Sequence, residues 1–336
     1  MSKGKTPHHK AAASTLQDGL VVASHGRHVW VETPAGERVL CHPRGKKNQT
    51  VVGDRVLWQT TGDEGSIEQV QERRSLLYRQ DDIRSKFFAA NIDQVLVLIA
   101  AEPEFSEHQL ARALIAAEEA GIGVLIALNK QDLAEPFARA WARLQPYRDM
   151  GYTVLPLALN PETANTNTTV TPSPAEQLAQ LLQQHLQGKA TLVLGPSGSG
   201  KSTLINGLVP GALAATNTIS TALNTGKHTT TSTSWYWVDG VAPRSTAVID
   251  SPGFQEFGLH HIEPTRLAHC MPDLRAHLGG CRFYNCTHLH EPGCSVRAAV
   301  PELLDDQSAA RAQGISWRRY QIYSDLFAEL SQEPRY

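Results

Sequence analysis

The sequence has no long run of apolar residues and no strong excess of charge. Its apolar stretches fall short of the roughly 20 residues that a membrane-spanning helix needs, and no signal-type apolar segment follows the basic N-terminus. Its 31 Lys and Arg residues nearly balance 33 Asp and Glu residues, giving a formal net charge of −2. We therefore expect a cytoplasmic globular protein without a membrane partner. Any nucleic-acid partner would have to meet local basic clusters: Arg44, Lys46 and Lys47; Arg73 and Arg74; Arg318 and Arg319.

Cysteine is scarce and unevenly distributed. Only five cysteines occur, and three of them, Cys281, Cys286 and Cys294, fall in one short stretch. In a reducing compartment these residues are not expected to form a disulfide framework, so metal binding is the better interpretation. Cys41 and Cys270 match no ligand pattern and are expected to be small core residues.

The N-terminal part predicts a tail and a small β-domain. Residues 1–18 are small, polar and basic, which is typical of a mobile tail. Between residues 19 and 80, turn signals separate short β-branched runs at Leu20–Val22, His28–Val31, Arg38–Leu40 and Arg55–Trp58. This pattern predicts an all-β barrel. An oligonucleotide-binding (OB) type fits the length, and another small β-domain would give the same pattern.

Residues 81–260 change in character to an α/β pattern. Continuous apolar strands are predicted at Gln94–Ile99, Gly123–Leu128, Thr191–Leu194 and Thr246–Ile249, with helices near 107–120 and 175–186. Strands without polar alternation are buried on both faces, so we expect a parallel sheet between helices. Residues 261–336 predict a mostly helical domain that carries the cysteine cluster.

A phosphate loop is predicted between Thr191–Leu194 and the following apolar helix. Its backbone N–H groups would cradle phosphates, Lys201 would reach the β- and γ-phosphate oxygens and aid catalysis, and Ser202 would ligate Mg²⁺. This loop predicts nucleotide binding without distinguishing ATP from GTP. The candidate ligands are Gly195, Pro196, Ser197, Gly198, Ser199, Gly200, Lys201, Ser202 and Thr203.

The choice of base depends on a second motif, at the carboxyl end of the strand Gly123–Leu128. Here Asp132 could accept hydrogen bonds from the N1–H and the exocyclic amine of guanine, a donor pair that adenine does not present. Asn129 would hold the loop, and the stem of Lys130 would lie against the base. Ligands of open parallel sheets bind at such strand ends, so this motif is expected at the nucleotide site. Because of the hydrogen bonds offered by Asp132, the motif favours guanine as the base. Its residues are Asn129, Lys130, Gln131 and Asp132.

Two further segments complete a nucleotide switch. Asp250 and Gly253 follow the strand Thr246–Ile249, where a carboxylate would bind Mg²⁺ through water and a glycine N–H would face the γ-phosphate. Upstream, the run Gly226–Thr231 contains threonines that could close on Mg²⁺. Thr230 and Thr231 are the favoured ligands, and the choice between them stays open.

The order of these motifs, with the base motif before the phosphate loop, resembles that of the circularly permuted GTPases. With the barrel and the C-terminal cysteines, the chain is similar to the ribosome small-subunit-dependent GTPase A family of ribosome biogenesis factors. The likeness covers nearly the whole chain from Gly19. One departure is Ala158, which stands where the family has a serine in its guanine-loop motif.

The resemblance implies that GTP is hydrolysed to GDP and phosphate with Mg²⁺, on a small ribosomal subunit late in its maturation, and that hydrolysis promotes release. The barrel and the C-terminal domain would grip ribosomal RNA, and the chain is expected to be a monomer. His228 is the candidate for orienting the attacking water, and an exposed switch histidine is the alternative. Phe254 follows Gly253, where many switch GTPases place glutamine, so slow intrinsic turnover is expected.

The C-terminal cysteines predict one structural Zn²⁺. The spacing Cys281-x₄-Cys286-x-His288-x₅-Cys294 offers three thiolates and an imidazole, enough to close a tetrahedral site without an open position. The resemblance favours His288 over the nearby His290 as the fourth ligand. A buried cysteine cluster with incidental histidines is the alternative.

Two other functions fit parts of the sequence. One is a nucleic-acid-binding module whose phosphate loop is vestigial, and the other is an ATP-dependent kinase or ATPase. Selective binding of GTP over ATP would exclude the second, and subunit-stimulated GTP hydrolysis would exclude the first.

Overall fold

The structure is a computed structural model, and it describes residues 16–25, 28–44, 50–80, 85–160, 172–212, 233–251, 254, 257–303 and 314–332. Most of the predicted tail, residues 1–15, lies outside these ranges. The chain divides into two compact units, Met1–Arg73 and Arg74–Tyr336.

The first unit is a closed five-stranded barrel. Its strands follow the order β1-β2-β3-β5-β4, and β1 also pairs with β4, which closes the barrel. The β3–β5 pair is parallel and the other pairs are antiparallel. This topology confirms the OB-type prediction. The strands are β1 Gln17–His25, β2 His28–Glu32, β3 Arg38–Pro43, β4 Arg55–Thr61 and β5 Glu64–Val70.

The barrel core is built around Trp58, which is 2% exposed. Gly65 packs so closely that a Cβ there would lie 2.8 Å from the Trp58 ring and would collide with Cys41 Sγ. Cys41 is fully buried, which confirms its expected place in the core. Arg73, the last residue of this unit, donates hydrogen bonds to the buried carboxylate of Asp54, from Nε at 2.7 Å and from Nη2 at 2.8 Å.

The second unit contains a mainly parallel sheet in the order β10-β9-β8-β11-β13-β12, in which β12 alone runs antiparallel to its neighbour. Every residue of β8 and of β11 is buried, as their mainly apolar sequences predict. The strands are β8 Gln94–Ala100, β9 Gly123–Asn129, β10 Thr153–Pro156, β11 Ala190–Leu194, β12 Ser234–Trp237 and β13 Ala247–Asp250, and a separate antiparallel pair is formed by β6 Leu76–Gln80 and β7 Ser85–Ala90.

Helices flank this sheet, and side-chain caps mark where two of them begin. Ser106 accepts the Gln109 N–H at the start of α1, and Ser173 and Glu176 form a capping box at the start of α4. The helices are α1 Glu107–Glu119, α2 Ala134–Arg143, α3 Gln145–Asp149, α4 Pro174–Leu181, which continues as a π-helical turn over Leu182–Leu186, and α5 Lys201–Leu208.

The C-terminal part is mostly helical, as predicted. It contains α6 Pro272–Arg275, α7 Ser295–Ala298, α8 Trp317–Leu330 and 3-10 turns at Pro264–Cys270, Leu278–Gly280 and Pro301–Leu303. In the part of the chain that the structure describes, no helix has the length and apolar character needed to cross a membrane.

Candidate nucleotide and metal sites

The predicted nucleotide motifs meet at one edge of the sheet. β9, β11 and β13 run parallel, so their carboxyl ends lie on the same side. Asn129 ends β9, Gly195 follows β11, and Asp250 ends β13. The reversed order of the motifs along the chain therefore leaves their arrangement in space compatible with one nucleotide site.

The phosphate loop, Gly195–Thr203, turns from β11 into α5 on its glycines. Gly198 has φ +80° and Gly200 has φ +97°, a left-handed backbone that favours glycine. A Cβ on Gly195 would lie 2.8 Å from Ser199 Oγ, and one on Gly200 would collide with the Asn129 side chain. This close backbone packing fits a cradle of N–H groups at the start of α5.

Lys201 and Asp250 form an ion pair at the base of the loop. Lys201 Nζ contacts Asp250 Oδ1, and their side chains are 14% and 4% exposed. Ser202, the next residue, is exposed on the first turn of α5. The two charges that phosphate and metal binding would require thus lie next to each other, beside an accessible hydroxyl.

Asn129 joins the base motif to the phosphate loop. Its buried carboxamide donates from Nδ2 to the Ser199 carbonyl at 3.0 Å and accepts the Leu159 N–H at Oδ1, also at 3.0 Å. Lys130 has φ +69°, and its Nζ donates to the Glu102 carbonyl at 2.5 Å. The Asn129 side chain therefore holds three loops together: its own, the phosphate loop and the segment that contains Leu159.

Asp132 carries the feature expected of a base-recognition carboxylate. Its Oδ1 is buried and has no hydrogen-bond partner among the described residues. A buried unpaired carboxylate oxygen is costly, so this atom fits a ligand that donates hydrogen bonds. The adjacent Gln131 donates its backbone N–H to the Leu157 carbonyl at 2.9 Å, which ties the motif to the segment after β10.

That segment also holds a contact that the sequence analysis missed. The Ala158 N–H donates to Oε1 of Gln177 on α4 at 2.7 Å, and Gln177 is 6% exposed. A polar residue one helical turn before the buried Leu181 was the available signal, because such a position normally holds an apolar side chain.

Part of the predicted switch lies outside the described residues, namely Gly226–Thr231, with His228, Thr230 and Thr231, and also Gly253. Phe254 is described, and it is 3% exposed, with its ring centroid 6.3 Å from that of Phe257. Its side chain is therefore part of the core and offers nothing to orient water.

The four predicted metal ligands form one cluster. Their ligand atoms lie within 4.8 Å of one another. Cys281 Sγ is 3.9 Å from Cys294 Sγ, and each of these sulfurs is 3.5 Å from His288 Nδ1. Tetrahedral Zn²⁺ with ordinary bond lengths would set these separations at about 3.8 Å and about 3.6 Å. The cluster, which also includes Cys286, could therefore bind zinc.

The protonation states of this cluster affect metal binding in two ways. Burial lowers the pKa of His288, so its imidazole is neutral and can offer a lone pair. Burial raises the pKa of Cys286 to about 12, so a metal would have to displace its proton. Tyr320 and Tyr323 on α8 donate to the carbonyls of His288 and Thr287 at 2.8 and 2.7 Å, which fixes the ligand-bearing turn.

The cysteines outside the cluster behave as expected of core residues. Cys270 is 3% exposed, and burial raises its pKa to about 12. Its Sγ contacts Glu119 Oε2 at 3.1 Å. Cys270 is therefore a packed, protonated thiol.

Arg319, one of the basic residues expected to meet a nucleic-acid partner, is not on the surface of the protein. Arg319 is 2% exposed and makes a two-point ion pair with Asp273, at 2.8 Å from Nε and 3.0 Å from Nη2. Arg318 is half exposed, with Nε 3.7 Å from Glu107. Arg44 is 70% exposed and pairs with a glutamate, whereas Lys46 and Lys47 lie outside the described residues.

Comparison with known proteins agrees with this arrangement. A family model described as RsgA GTPase matches residues 70–260. A protein named "Small ribosomal subunit biogenesis GTPase RsgA" from Variovorax paradoxus (strain S110) is 62% identical over 331 residues, which cover 98% of each chain. A protein of the same name from Paraburkholderia phytofirmans (strain DSM 17436 / LMG 22146 / PsJN) is 47% identical over 327 residues and 96% of each chain.

Solved structures extend the likeness. The crystal structure of YjeQ from Thermotoga maritima matches with a TM-score of 0.67 and 28% identity, over 95% of this chain and 100% of that one. The structure of YloQ, described as a circularly permuted GTPase, shares the fold, with a TM-score of 0.63 and 24% identity over 98% of this chain and 100% of that one. From its sequence and its fold alike, the chain belongs to the RsgA GTPase family.

Proposed function

We propose that this GTPase binds the small ribosomal subunit, acts in the late maturation of that subunit, and hydrolyses GTP to GDP and phosphate in a step that promotes its own release. The observation that carries the nucleotide part is Asn129, whose carboxamide holds the base motif and the phosphate loop together. The partner is inferred from the relatives, which are named as biogenesis GTPases of this subunit.

One part of the site would bind the phosphates of GTP and another part would bind its guanine base. The loop Gly195–Thr203 would hold the phosphates through backbone N–H groups, with Lys201 neutralising the β- and γ-oxygens. Asp132 would accept hydrogen bonds from the guanine edge through its Oδ1, which has no partner among the residues that the structure describes. Because adenine lacks that pair of donors, this contact would make the enzyme selective for GTP.

Hydrolysis needs little covalent help from the protein, because positioning and charge neutralisation supply most of the acceleration. Ser202 and Asp250, with Thr230 or Thr231, would hold Mg²⁺, which would neutralise charge on the transferring phosphoryl group. Phe254 is buried and cannot orient water, so intrinsic turnover would be slow and His228 is the proposed orienting group. Replacing His228 by Ala should abolish stimulated hydrolysis while GTP binding is retained.

The zinc cluster would act as a structural centre. Its four ligands leave no open position, so the metal would fix the turn between Cys281 and Cys294 rather than join the reaction. We further propose that this domain and the barrel contact ribosomal RNA, with Arg44 and Arg318 as accessible cations, and that the chain is a monomer.

The deciding experiment is GTP hydrolysis by the purified protein with and without small ribosomal subunits. We expect marked stimulation with GTP and none with ATP. Asp132→Asn should shift preference towards xanthosine triphosphate, because the amide reverses one hydrogen bond to the base. Absence of stimulation would favour a binding module with a vestigial loop, and hydrolysis of ATP would favour an ATPase.

The RNA contact has a separate test. Phosphate contacts release counterions, so subunit binding should weaken steeply as salt is added. Subunit affinity that does not change between low and high salt would contradict the RNA contact and leave the nucleotide chemistry unaffected.

A further inference from the structure

Gln177 joins the two ends of the segment between β10 and α4. Its Oε1 accepts the Ala158 N–H at 2.7 Å, and its Nε2 donates to the Pro172 carbonyl at 2.8 Å. The partners fix the orientation of the carboxamide, because an amide N–H can only donate and a carbonyl oxygen can only accept. Both hydrogen-bonding ends of this buried side chain are therefore used.

The same segment is tied to the base motif on its other side. Leu159 donates its N–H to Asn129 Oδ1 at 3.0 Å, and the Leu157 carbonyl accepts the Gln131 N–H at 2.9 Å. Three consecutive residues are thus held by hydrogen bonds, and among the described residues the Ala158 N–H is held by Gln177 alone. Ala158 has no polar side chain with which the segment could hold itself in place.

The helix that carries Gln177 is itself fixed relative to the phosphate loop. Leu178, the next residue on α4, packs so closely on α5 that a Cβ on Gly207 would lie 2.5 Å from Leu178 Cδ1. α5 begins at Lys201, so its first turn belongs to the phosphate loop. Because α4 packs on α5, Gln177 holds the segment Leu157–Leu159 at a fixed position relative to α5.

We propose that Gln177 is a positioning residue for guanine specificity, which holds the segment Leu157–Leu159 in the place where the base is recognised without touching the nucleotide. This inference rests on the proposed function, because it assumes that the site takes a guanine nucleotide. In this inference the Gln177 side chain on α4 holds the segment in place, which the apolar side chain of Ala158 cannot do.

The test compares GDP with ADP in competition binding to the full-length protein. Gln177→Leu removes both hydrogen bonds and leaves the buried Ala158 N–H unpaired. We expect GDP affinity to fall about tenfold, equivalent to roughly 1.4 kcal/mol, with ADP affinity unchanged, since ADP uses the same phosphate contacts without the guanine edge. Correspondingly, KM for GTP should rise while kcat at saturation stays the same.

Two further variants separate the contact from general damage. Gln177→Glu keeps an acceptor for the Ala158 N–H but loses the donor to Pro172, so its GDP affinity should lie between those of the wild type and Gln177→Leu. Gln180→Leu, at an exposed position of the same helix, should bind both nucleotides like the wild type.

The outcomes are distinct. A wild-type ratio of GDP to ADP affinity in Gln177→Leu would overturn the inference, and so would an equal loss of both nucleotides with a lower melting temperature, which indicates a merely structural role. A wild-type protein that does not prefer GDP over ADP would instead contradict the proposed function itself.

Discussion

The ion pair between Arg319 and Asp273 should matter for stability and not for RNA binding. Arg319 Nε and Nη2 reach the two carboxylate oxygens at 2.8 and 3.0 Å, and its guanidinium carbon lies 5.2 Å from the centroid of the Tyr147 ring. The side chains of the pair are 3% and 12% exposed. The pair joins α8 to α6 inside the second unit.

The perturbation is Arg319→Met, which keeps much of the side-chain volume but leaves the largely buried Asp273 carboxylate, 12% exposed, without its partner. Breaking a buried ion pair from one side costs about 3–5 kcal/mol, because the remaining charge keeps its desolvation penalty. For a unit of this size, each kcal/mol lowers the melting temperature by roughly 2–4 °C. We therefore expect a decrease of about 6–20 °C.

Calorimetry or circular dichroism on the full-length protein would measure this change. Arg318→Met is the matched control, because Arg318 is half exposed and 3.7 Å from Glu107, and such surface pairs contribute about 0–1 kcal/mol. The double variant Arg319→Met with Asp273→Leu should recover much of the loss, since no unpaired charge remains.

Two results would refute this reasoning. One is a melting temperature for Arg319→Met equal to that of Arg318→Met. The other is an unchanged melting temperature together with weaker, less salt-dependent binding of Arg319→Met to the small subunit, which would make Arg319 an RNA contact after all.

Three further predictions address the metal cluster, the phosphate loop and the response to acid. Cys294→Ser should lose the equivalent of zinc that metal analysis finds in the wild type, whereas Cys270→Ala should keep it; full zinc content in both would contradict the cluster. Gly200→Ala should lose GDP affinity by about tenfold or more, whereas Gly188→Ala, also at a left-handed φ but with open space around its Cβ, should change only stability; equal GDP affinity in the two variants would exclude the steric argument. Burial lowers the pKa of His261 below its usual 6.5, so the native state binds fewer protons than the unfolded chain and stability should fall as the pH drops through 6.5. Denaturation at pH 7.5 and 5.5 should show a smaller loss in His261→Asn, and an equal loss would exclude this histidine as a source of acid sensitivity.

Features set by short stretches of sequence were predictable. The largely apolar sequences of β8 and β11 indicate buried parallel strands without any knowledge of the rest of the fold. A strand with helices on both faces of its sheet has apolar side chains on both sides. The phosphate loop is equally local, since its glycines, its lysine and the next helix are contiguous. Together with the order of the nucleotide motifs, the predicted barrel and the C-terminal cysteines, these features predicted the fold class and the RsgA GTPase family.

Strands whose burial depends on distant partners were missed. β5, Glu64–Val70, is mostly polar, and it is a strand because β4 and β3 pair with its two edges. Backbone pairing leaves little trace in the side chains of a half-exposed strand, so the sequence did not predict this one. The closure of the barrel could not be read from any one segment.

The sequence by itself determined the residue types and the spacing of the predicted nucleotide and metal ligands, and this spacing predicted the chemistry proposed for them. Tertiary structure alone decided which polar side chains are exposed to solvent and which are buried and paired inside the protein. Arg319 looks like Arg318 in the sequence, but Asp273 lies 46 residues away along the chain and removes Arg319 from solvent. Gln177 likewise gained its place beside the base motif only when α4 packed on α5, because burial and hydrogen-bond partners are set by the neighbours that folding supplies.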